Sequence, residues 1–439
     1  MDRPGHSAPW PEGAQPEDSP LWAWQALPTA DFVGGNSVHL LHGGDELFPA
    51  MHRAIGSARS QVWLASYIFH DDEAGREMSE VLRAAAHRGV AVQVVVDGFG
   101  CMATLPRLRA WLAAPGLSLE VFRPLDRLSA WLQPGQLRRL HQKLCVVDDE
   151  VAFVGGINII DDRNDQWHGR TEVPRLDFAV ELRGPVVVPV QRMARALCVR
   201  ARLGHEWRTE VRTLARGKRP LASTLRLLRE WRGPGPADTP PLQGEALLPV
   251  RVAFVVRDNL RQRRAIERSY IEALRGAGES VDIACPYFYP GRGFKRALLN
   301  AAGRGVRVRL LLQGKVDYRL AGLAARVLYD ELLSKGVRIF EYTPAFLHAK
   351  VAVVDESWAT VGSSNIDPLS LLLNLEANAV VRDIDFARQL RRQIDEASAQ
   401  SHEVKATPLR EGWRRWLSRG VVAWCANLYL RVAGITGRY

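Results

Sequence analysis

The sequence predicts an α/β protein built as two tandem α/β sandwich domains, related by a pseudo-two-fold axis, with one active site at their interface. Three observations predict this. Strand-like and helix-like stretches alternate along the 439 residues. Their order is given twice along the chain. One polar motif, HxKxxxxD, occurs once in each copy, and the copies stand 207 residues apart.

Residues 1–36 read as an N-terminal extension. The first thirty or so of them are Pro-rich and polar and lack a period, so a loose tail is expected there, with Trp10, Trp22 and Trp24 as its available anchors. No basic start followed by an apolar run and a small-residue cleavage site occurs there, so no secretory leader is expected. Residues 37–190 form the first domain. IGSARSQVWLASYIF (55–69) reads as a helix end, a turn and a strand, and in AAAHRGVAVQVVVDG (84–98) a glycine stops a helix before a buried strand. Residues 191–249 form a basic connector and linker. Positions 192–232 are rich in Arg with Leu and Trp interleaved, and GPGPADTPP (233–241) is a Pro/Gly linker. The Arg-rich part has two readings, a solvated helical connector or a membrane-facing amphipathic surface.

Residues 250–400 form the second domain. LRGAGESVDIACPYFYPG (274–291) and NAAGRGVRVRLLLQG (300–314) repeat the order of the first. Residues 401–439 close the chain, and WRRWLSRGVVAWCANLYLRVAGITGRY (413–439) mixes Trp, Arg and aliphatic residues. Trp and Tyr favour the bilayer interface and Arg favours anionic headgroups, so this segment is expected to bind a membrane surface.

Composition narrows the class. The chain is 24% charged and 47% hydrophobic, as globular proteins are. Its five cysteines are scattered, without a CxxC pair, so neither a disulfide framework nor a zinc site is expected, and a reducing compartment is. The net charge of +11 attracts polyanions, either nucleic acid or an anionic membrane. No apolar run reaches 18 residues, so no transmembrane helix is expected.

The chemistry lies in HQKLCVVDDEVAFVGGINIID (141–161) and HAKVAVVDESWATVGSSNID (348–367). The first holds His141, Lys143, Asp148 and Asn158; the second holds His348, Lys350, Asp355, Ser363 and Asn365. Residues i and i+2 of a strand share a face, so each His and Lys project together. Two histidines, two lysines and two asparagines converging on one point suit a phosphodiester. The lysines and asparagines neutralise and orient its non-bridging oxygens, one His attacks phosphorus and the other protonates the leaving oxygen. The lysines are informative because the chain has only seven Lys among 59 basic residues, yet both motif positions carry one. Each His needs an acid to fix its tautomer. Asp177 in RLDFAVELRGPVV (175–187) and Glu376 in NLEANAVV (374–381) are the candidates. Asp148 and Asp355 complete the candidate catalytic set by motif, and their place before a turn points to holding that turn. No metal-ligand spacing occurs, so no metal or other cofactor is expected.

At these residues the chain resembles the phospholipase D superfamily, and within it the bacterial cardiolipin synthases, in particular the short B type. The likeness spans about 37–400 and rests on DGFG (97–100), both motifs, DFAVELRGP (177–185), RDN (257–259), YFYPG (287–291), FEY (340–342) and ATVGSSNIDPLSLLLNLEAN (359–378). Gly156 stands where many relatives have Ser. The resemblance implies a metal-independent ping-pong reaction in which His141 takes a phosphatidyl group from one phosphatidylglycerol and His348 serves as acid and then base for transfer to a second. It also implies a peripheral enzyme on the cytoplasmic face of the bacterial inner membrane, with phosphatidylglycerol and an anionic membrane surface as partners. The residues also admit a lipid phosphodiesterase or a phosphodiester nuclease. Nucleic acid is the less expected partner, because a nuclease needs no apolar interfacial face. The sequence sets no oligomeric state.

Overall fold

The computed structural model describes residues 31–124, 138–165, 169–216, 250–257, 262–315, 328–367 and 374–405. The first half runs β1 (Ser37–His42), α1 (Gly43–Gly56), β2 (Gln61–Ser66), α2 (Glu73–His87), β3 (Ala91–Asp97), α3 (Leu105–Trp111), β4 (Leu117–Phe122), β5 (Lys143–Val147), β6 (Val151–Gly155), β7 (Asn164–Asp165), β8 (Gly169–Arg170), β9 (Phe178–Arg183) and α4 (Val187–Arg216). The second runs β10 (Arg251–Arg257), α5 (Ala265–Gly276), β11 (Ser280–Cys285), α6 (Arg292–Gly303), β12 (Arg307–Gln313), β13 (Arg338–Tyr342), β14 (Val351–Val354), β15 (Trp358–Gly362), β16 (Glu376–Arg382), α7 (Ile384–Ala399) and β17 (His402–Glu403).

The two main sheets repeat one topology. The first has the order β1-β9-β6-β5-β2-β3-β4, and the second β10-β16-β15-β14-β11-β12-β13 with β17 added at its edge. In each, three strands run parallel and the motif strand lies antiparallel beside the first of them. Local chemistry sets the ends of the elements. Asp72 caps α2 by accepting the Gly75 N–H, and α2 buries Met78, Leu82, Ala85 and Ala86 on one face. Gly89 and Gly305 follow α2 and α6 with φ of 93° and 89°, the left-handed conformation that ends a helix and that glycine adopts without strain.

Each sheet carries helices on its outer face, with α1–α3 over one and α5 and α6 over the other. The inner faces share one core. Leu144, Val154 and Val180 of the first half and Val353, Val361 and Ala379 of the second belong to it. Helices α4 and α7 add Met193, Leu197, Phe386 and Leu390. Burying each such aliphatic side chain is worth about 1.5–3 kcal/mol, so this core ties the halves together.

Three boundaries differ from the expected ones. Helix α4 runs across the one expected at 190, and its residues Val190, Met193, Ala194, Leu197, Cys198 and Ala201 are buried in the shared core. Arg195 and Arg202 are on its outer side, against Trp63 and Glu120. The described start of the Arg-rich stretch therefore spends its apolar face on the protein. Val33, in the expected N-terminal extension, exchanges backbone hydrogen bonds with Val252 of the second half, and Phe32 lies under Arg251 and Arg382. Residues 402–403 pair with β13 beyond the boundary expected at 400. The three tryptophans of the tail, the Pro/Gly linker and the amphipathic segment 413–439 lie outside the described residues.

Candidate active site

Four short segments meet between the halves. Leu140, just before the first motif strand, bridges to Leu375, just before the second acid, and Leu176, just before the first acid, bridges to Leu347. Backbone hydrogen bonds secure both joins: His141 N–H to Leu375 O at 3.0 Å, and His348 N–H to Leu176 O at 2.9 Å. Each motif histidine is thereby laid beside the candidate acid of the other half.

The pairing is crossed. His141 Nδ1 lies 3.0 Å from Glu376 Oε2 and 3.2 Å from the Ser363 carbonyl, and His348 Nδ1 lies 2.6 Å from Asp177 Oδ2. Both His141 neighbours are acceptors, so Nδ1 carries the proton and Nε2 keeps a lone pair. Neither ring is sealed, since His141 keeps 12% of its side-chain surface and His348 26%.

The lysines stand under the rings. Lys143 and Lys350 are buried, and each Nζ donates to the carbonyl of the histidine two residues before it, at the entry to β5 and β14. The intervening residues point elsewhere: Gln142 donates to the Glu376 carbonyl, and Ala349 enters the shared core. Tyr67 adds a ring 4.9 Å from His141 and 5.4 Å from Lys143 Nζ.

The two acids differ. Burial works to raise Glu376, but His141, Lys143 and the Ser363 hydroxyl, 2.5 Å away, hold it below the ordinary glutamate value. Burial pushes Asp177 up to about 6, against Lys350, the Phe178 N–H and Lys143. Burial lowers His141, opposed by Glu376. His348 is lowered well below the usual histidine range, first by burial and then by Lys350, Arg175 and Lys143. Burial brings Lys143 down to about 7 and also lowers Lys350. The site is thus short of negative charge and suits a phosphodiester anion.

Gly156 occupies the place that Ser363 takes in the other half. A Cβ there would lie 2.4 Å from Asp177 Oδ1, so the carboxylate fills the space that a serine side chain would need. Asn158 and Asn365 follow at the same end of the sheets. Asn158 Oδ1 accepts the Ile68 N–H, and Asn365 Oδ1 has no partner among the described residues.

Asp148 and Asp355 are not at the site, which corrects their place in the candidate catalytic set. They stand five residues beyond each lysine, about 16 Å along a strand. Asp148 accepts the N–H groups of Arg59, Ser60 and Gln61, and Asp355 those of Gly278, Glu279 and Ser280. Both have φ of 51°, in hairpin turns that tie each motif strand to the start of the neighbouring parallel strand. Among the described residues no group of three His, Cys, Asp or Glu side chains is placed to hold a metal ion, and four cysteines, Cys101, Cys145, Cys198 and Cys285, are free and buried.

Comparison with known proteins agrees with this duplicated site. A family model described as cardiolipin synthase, PLD-like domain, matches residues 51–168 and 270–397, once in each half. The chain belongs to this family. Cardiolipin synthase B of Escherichia coli K12 is 36% identical over 392 residues, covering 89% of this chain and 87% of that protein. Cardiolipin synthase A of Pseudomonas fluorescens SBW25 is 33% identical over 383 residues, covering 86% and 72%. The crystal structure of phosphatidylserine synthase from Haemophilus influenzae Rd KW20 has the same fold, with a TM-score of 0.61 at 16% identity over 94% of this chain and 97% of that one.

In this cardiolipin synthase family member, sequence reasoning missed two residues that hold the histidines from behind. Asp97 Oδ2 accepts the Leu140 N–H at 2.8 Å, and Gln313 Oε1 accepts the Leu347 N–H at 2.7 Å. Each fixes the backbone one residue before a motif histidine. The available signal was positional: both end the third strand of their sheet and precede a glycine, in VVVDG and LLLQG. Arg175 was also missed, although it stands two residues before Asp177 and acts on His348.

Proposed function

We propose that the enzyme transfers a phosphatidyl group from one phosphatidylglycerol to another, giving cardiolipin and glycerol. The observation that carries this reading is the crossed pair of histidine–acid contacts at one interface, above two lysines. His141 Nε2 attacks the donor phosphorus, the bond to the departing glycerol oxygen breaks, and His348 supplies that oxygen with a proton. His348 then takes the hydroxyl proton of the second phosphatidylglycerol, whose oxygen attacks phosphorus and breaks the P–N bond. One phosphodiester replaces another, so no nucleotide is consumed. Lys143 and Lys350 stabilise the charge on the non-bridging oxygens. Without substrate, burial and then the nearby cations Lys350, Arg175 and Lys143 hold His348 neutral. The diester anion offsets them and raises its proton affinity, so the proton donor forms as substrate binds.

No helix among the described residues is long and apolar enough to cross a membrane. Peripheral attachment to the cytoplasmic face of an anionic membrane completes the reading.

The test is purified protein with headgroup-labelled phosphatidylglycerol, alone, with phosphatidylethanolamine or glycerol added, and with a chelator. Equal yields of cardiolipin and glycerol, undiminished by chelator, are expected. Phosphatidic acid as the main product would make the enzyme a hydrolase, and activity abolished by chelator and restored by one divalent ion would contradict the metal-free mechanism.

A further inference from the structure

Four large apolar side chains are exposed among the described residues: Phe99 at 42%, Met102 at 50%, Val173 at 43% and Ile384 at 52%. Three of them lie at one end of the first sheet. Strands β2, β3 and β4 run parallel and finish there, and β5 and β9 start there. Phe99 and Met102 follow β3, and Val173 precedes β9. This is the catalytic end. The Arg139 guanidinium is 5.4 Å from the Phe99 ring and two residues before His141, and Val173 is four residues before Asp177.

Beside Phe99 is a cluster of cations that the mechanism does not use. Arg123 donates to the Arg138 carbonyl, and Arg139 donates to the Arg123 carbonyl. The acid beside them, Asp97, is 3.8 Å from Arg139 and already accepts three backbone N–H groups. Arg123 feels the charges of both Arg138 and Arg139 against one committed carboxylate, so the cluster is net positive, and burial with its Arg neighbours brings Arg123 down to about 10.

We propose that this rim, with Phe99, Met102 and Val173 as inserting tips and Arg123, Arg138 and Arg139 as headgroup contacts, docks the enzyme onto an anionic lipid bilayer. Apolar tips flanked by cations fit a bilayer interface, where the tips enter the acyl boundary and the arginines meet lipid phosphates. A second copy of the chain fits less well, because two such cationic rims repel each other and the chain already carries +11. The inference rests on the proposed lipid substrate, which has to leave a bilayer and enter the site that this rim borders. It places the docking surface in the body of the protein, apart from the segment 413–439.

The test uses vesicles of phosphatidylcholine with and without phosphatidylglycerol, and a short-chain phosphatidylglycerol kept monomeric. The full-length double variant Met102→Ser/Val173→Ser spares the Phe99 ring that carries Arg139. Withdrawing such side chains from an interface lowers partitioning on the order of tenfold or more. The double variant should therefore lose vesicle binding by flotation, and its turnover ratio, vesicle over monomer, should fall by about the same factor. Arg138→Gln should weaken binding to phosphatidylglycerol vesicles more than to pure phosphatidylcholine, with the gap closing at high salt. Unchanged flotation and an unchanged ratio would overturn the proposal, as would an equal loss on both substrates. A dimer in light scattering that the double variant abolishes without changing flotation would make the surface a contact between copies. Flotation needs no turnover, so a wild type that floats but makes no cardiolipin would sink the proposed reaction and leave the docking surface standing.

Discussion

The His141 and His348 half-sites share one backbone frame and differ in what stands behind the ring. Behind His141 is Glu376, held ionised by the ring, Lys143 and the Ser363 hydroxyl. Behind His348 is Asp177, one methylene shorter, pressed against Gly156 and raised to about 6. In the proposed mechanism, duplication supplies equal reach to phosphorus, and the unequal acids separate the tasks. A fixed, ionised partner with two acceptors on Nδ1 locks His141 in the tautomer that a nucleophile needs. A carboxyl group that titrates near 6 beside a ring that gains basicity when anionic substrate binds suits the proton shuttle.

The largest expected effect comes from removing the charge of either acid. Glu376→Gln and Asp177→Asn should each lower turnover by on the order of 10²–10⁴-fold, the range of acid–base and tautomer effects. They should differ in which step slows when the donor bears a good leaving group that needs little protonation: Glu376→Gln should slow formation of the phosphatidyl-enzyme, and Asp177→Asn its transfer to the acceptor. Pre-steady-state quench with labelled donor reads both steps. The same slow step in both variants would break the comparison.

A smaller effect is expected at the position that makes the halves unequal. Gly156→Ser should push Asp177 off His348 and lower turnover by roughly tenfold or more, at the level of one or two disturbed charge-assisted hydrogen bonds. Ser363→Ala removes one hydroxyl from Glu376 and should cost about tenfold. Steady-state turnover beside a thermal melt separates these losses from unfolding. Wild-type activity in Gly156→Ser would show that Asp177 has slack the geometry does not suggest.

The mildest test is pH. Lys143, lowered to about 7 by burial and Lys350, loses its charge as pH rises through that value, and with it part of the attraction for an anionic donor. The ratio kcat/KM for phosphatidylglycerol should therefore fall on the alkaline side of about 7, far below the ordinary lysine range near 10.4. Lys143→Arg keeps its charge at all these pH values and should remove that limb even if its absolute rate is lower. A limb near 7 that persists in Lys143→Arg would assign it to another group.

Much of this was legible in the sequence. The two motif strands were legible from their apolar runs, the glycine helix stops and the repeat order, although they begin at Lys143 and Val351, so His141 and His348 lie just before them rather than on them. The acids Asp177 and Glu376 were legible as candidates, but their crossed partners were not, because crossing arises only when Leu140–Leu375 and Leu176–Leu347 bridge the halves. Asp97 and Gln313 escaped because one geometric task is done by two residue types, which hides the repeat. The inward face of α4 was readable in principle from the helical spacing of Val190, Met193, Ala194, Leu197 and Ala201, yet the arginines between them dominate the composition.

The central claim is that His141 carries the phosphatidyl group while His348 moves protons. Its most direct measurement is acid quench of wild type, His141→Ala and His348→Ala with a labelled donor lipid bearing a good leaving group, followed by assay for acid-labile, base-stable label on the protein. Such a donor needs little protonation to depart. Label should therefore form and persist on His348→Ala, pass rapidly through wild type and be absent from His141→Ala. Label trapped on His141→Ala and absent from His348→Ala would reverse the two roles.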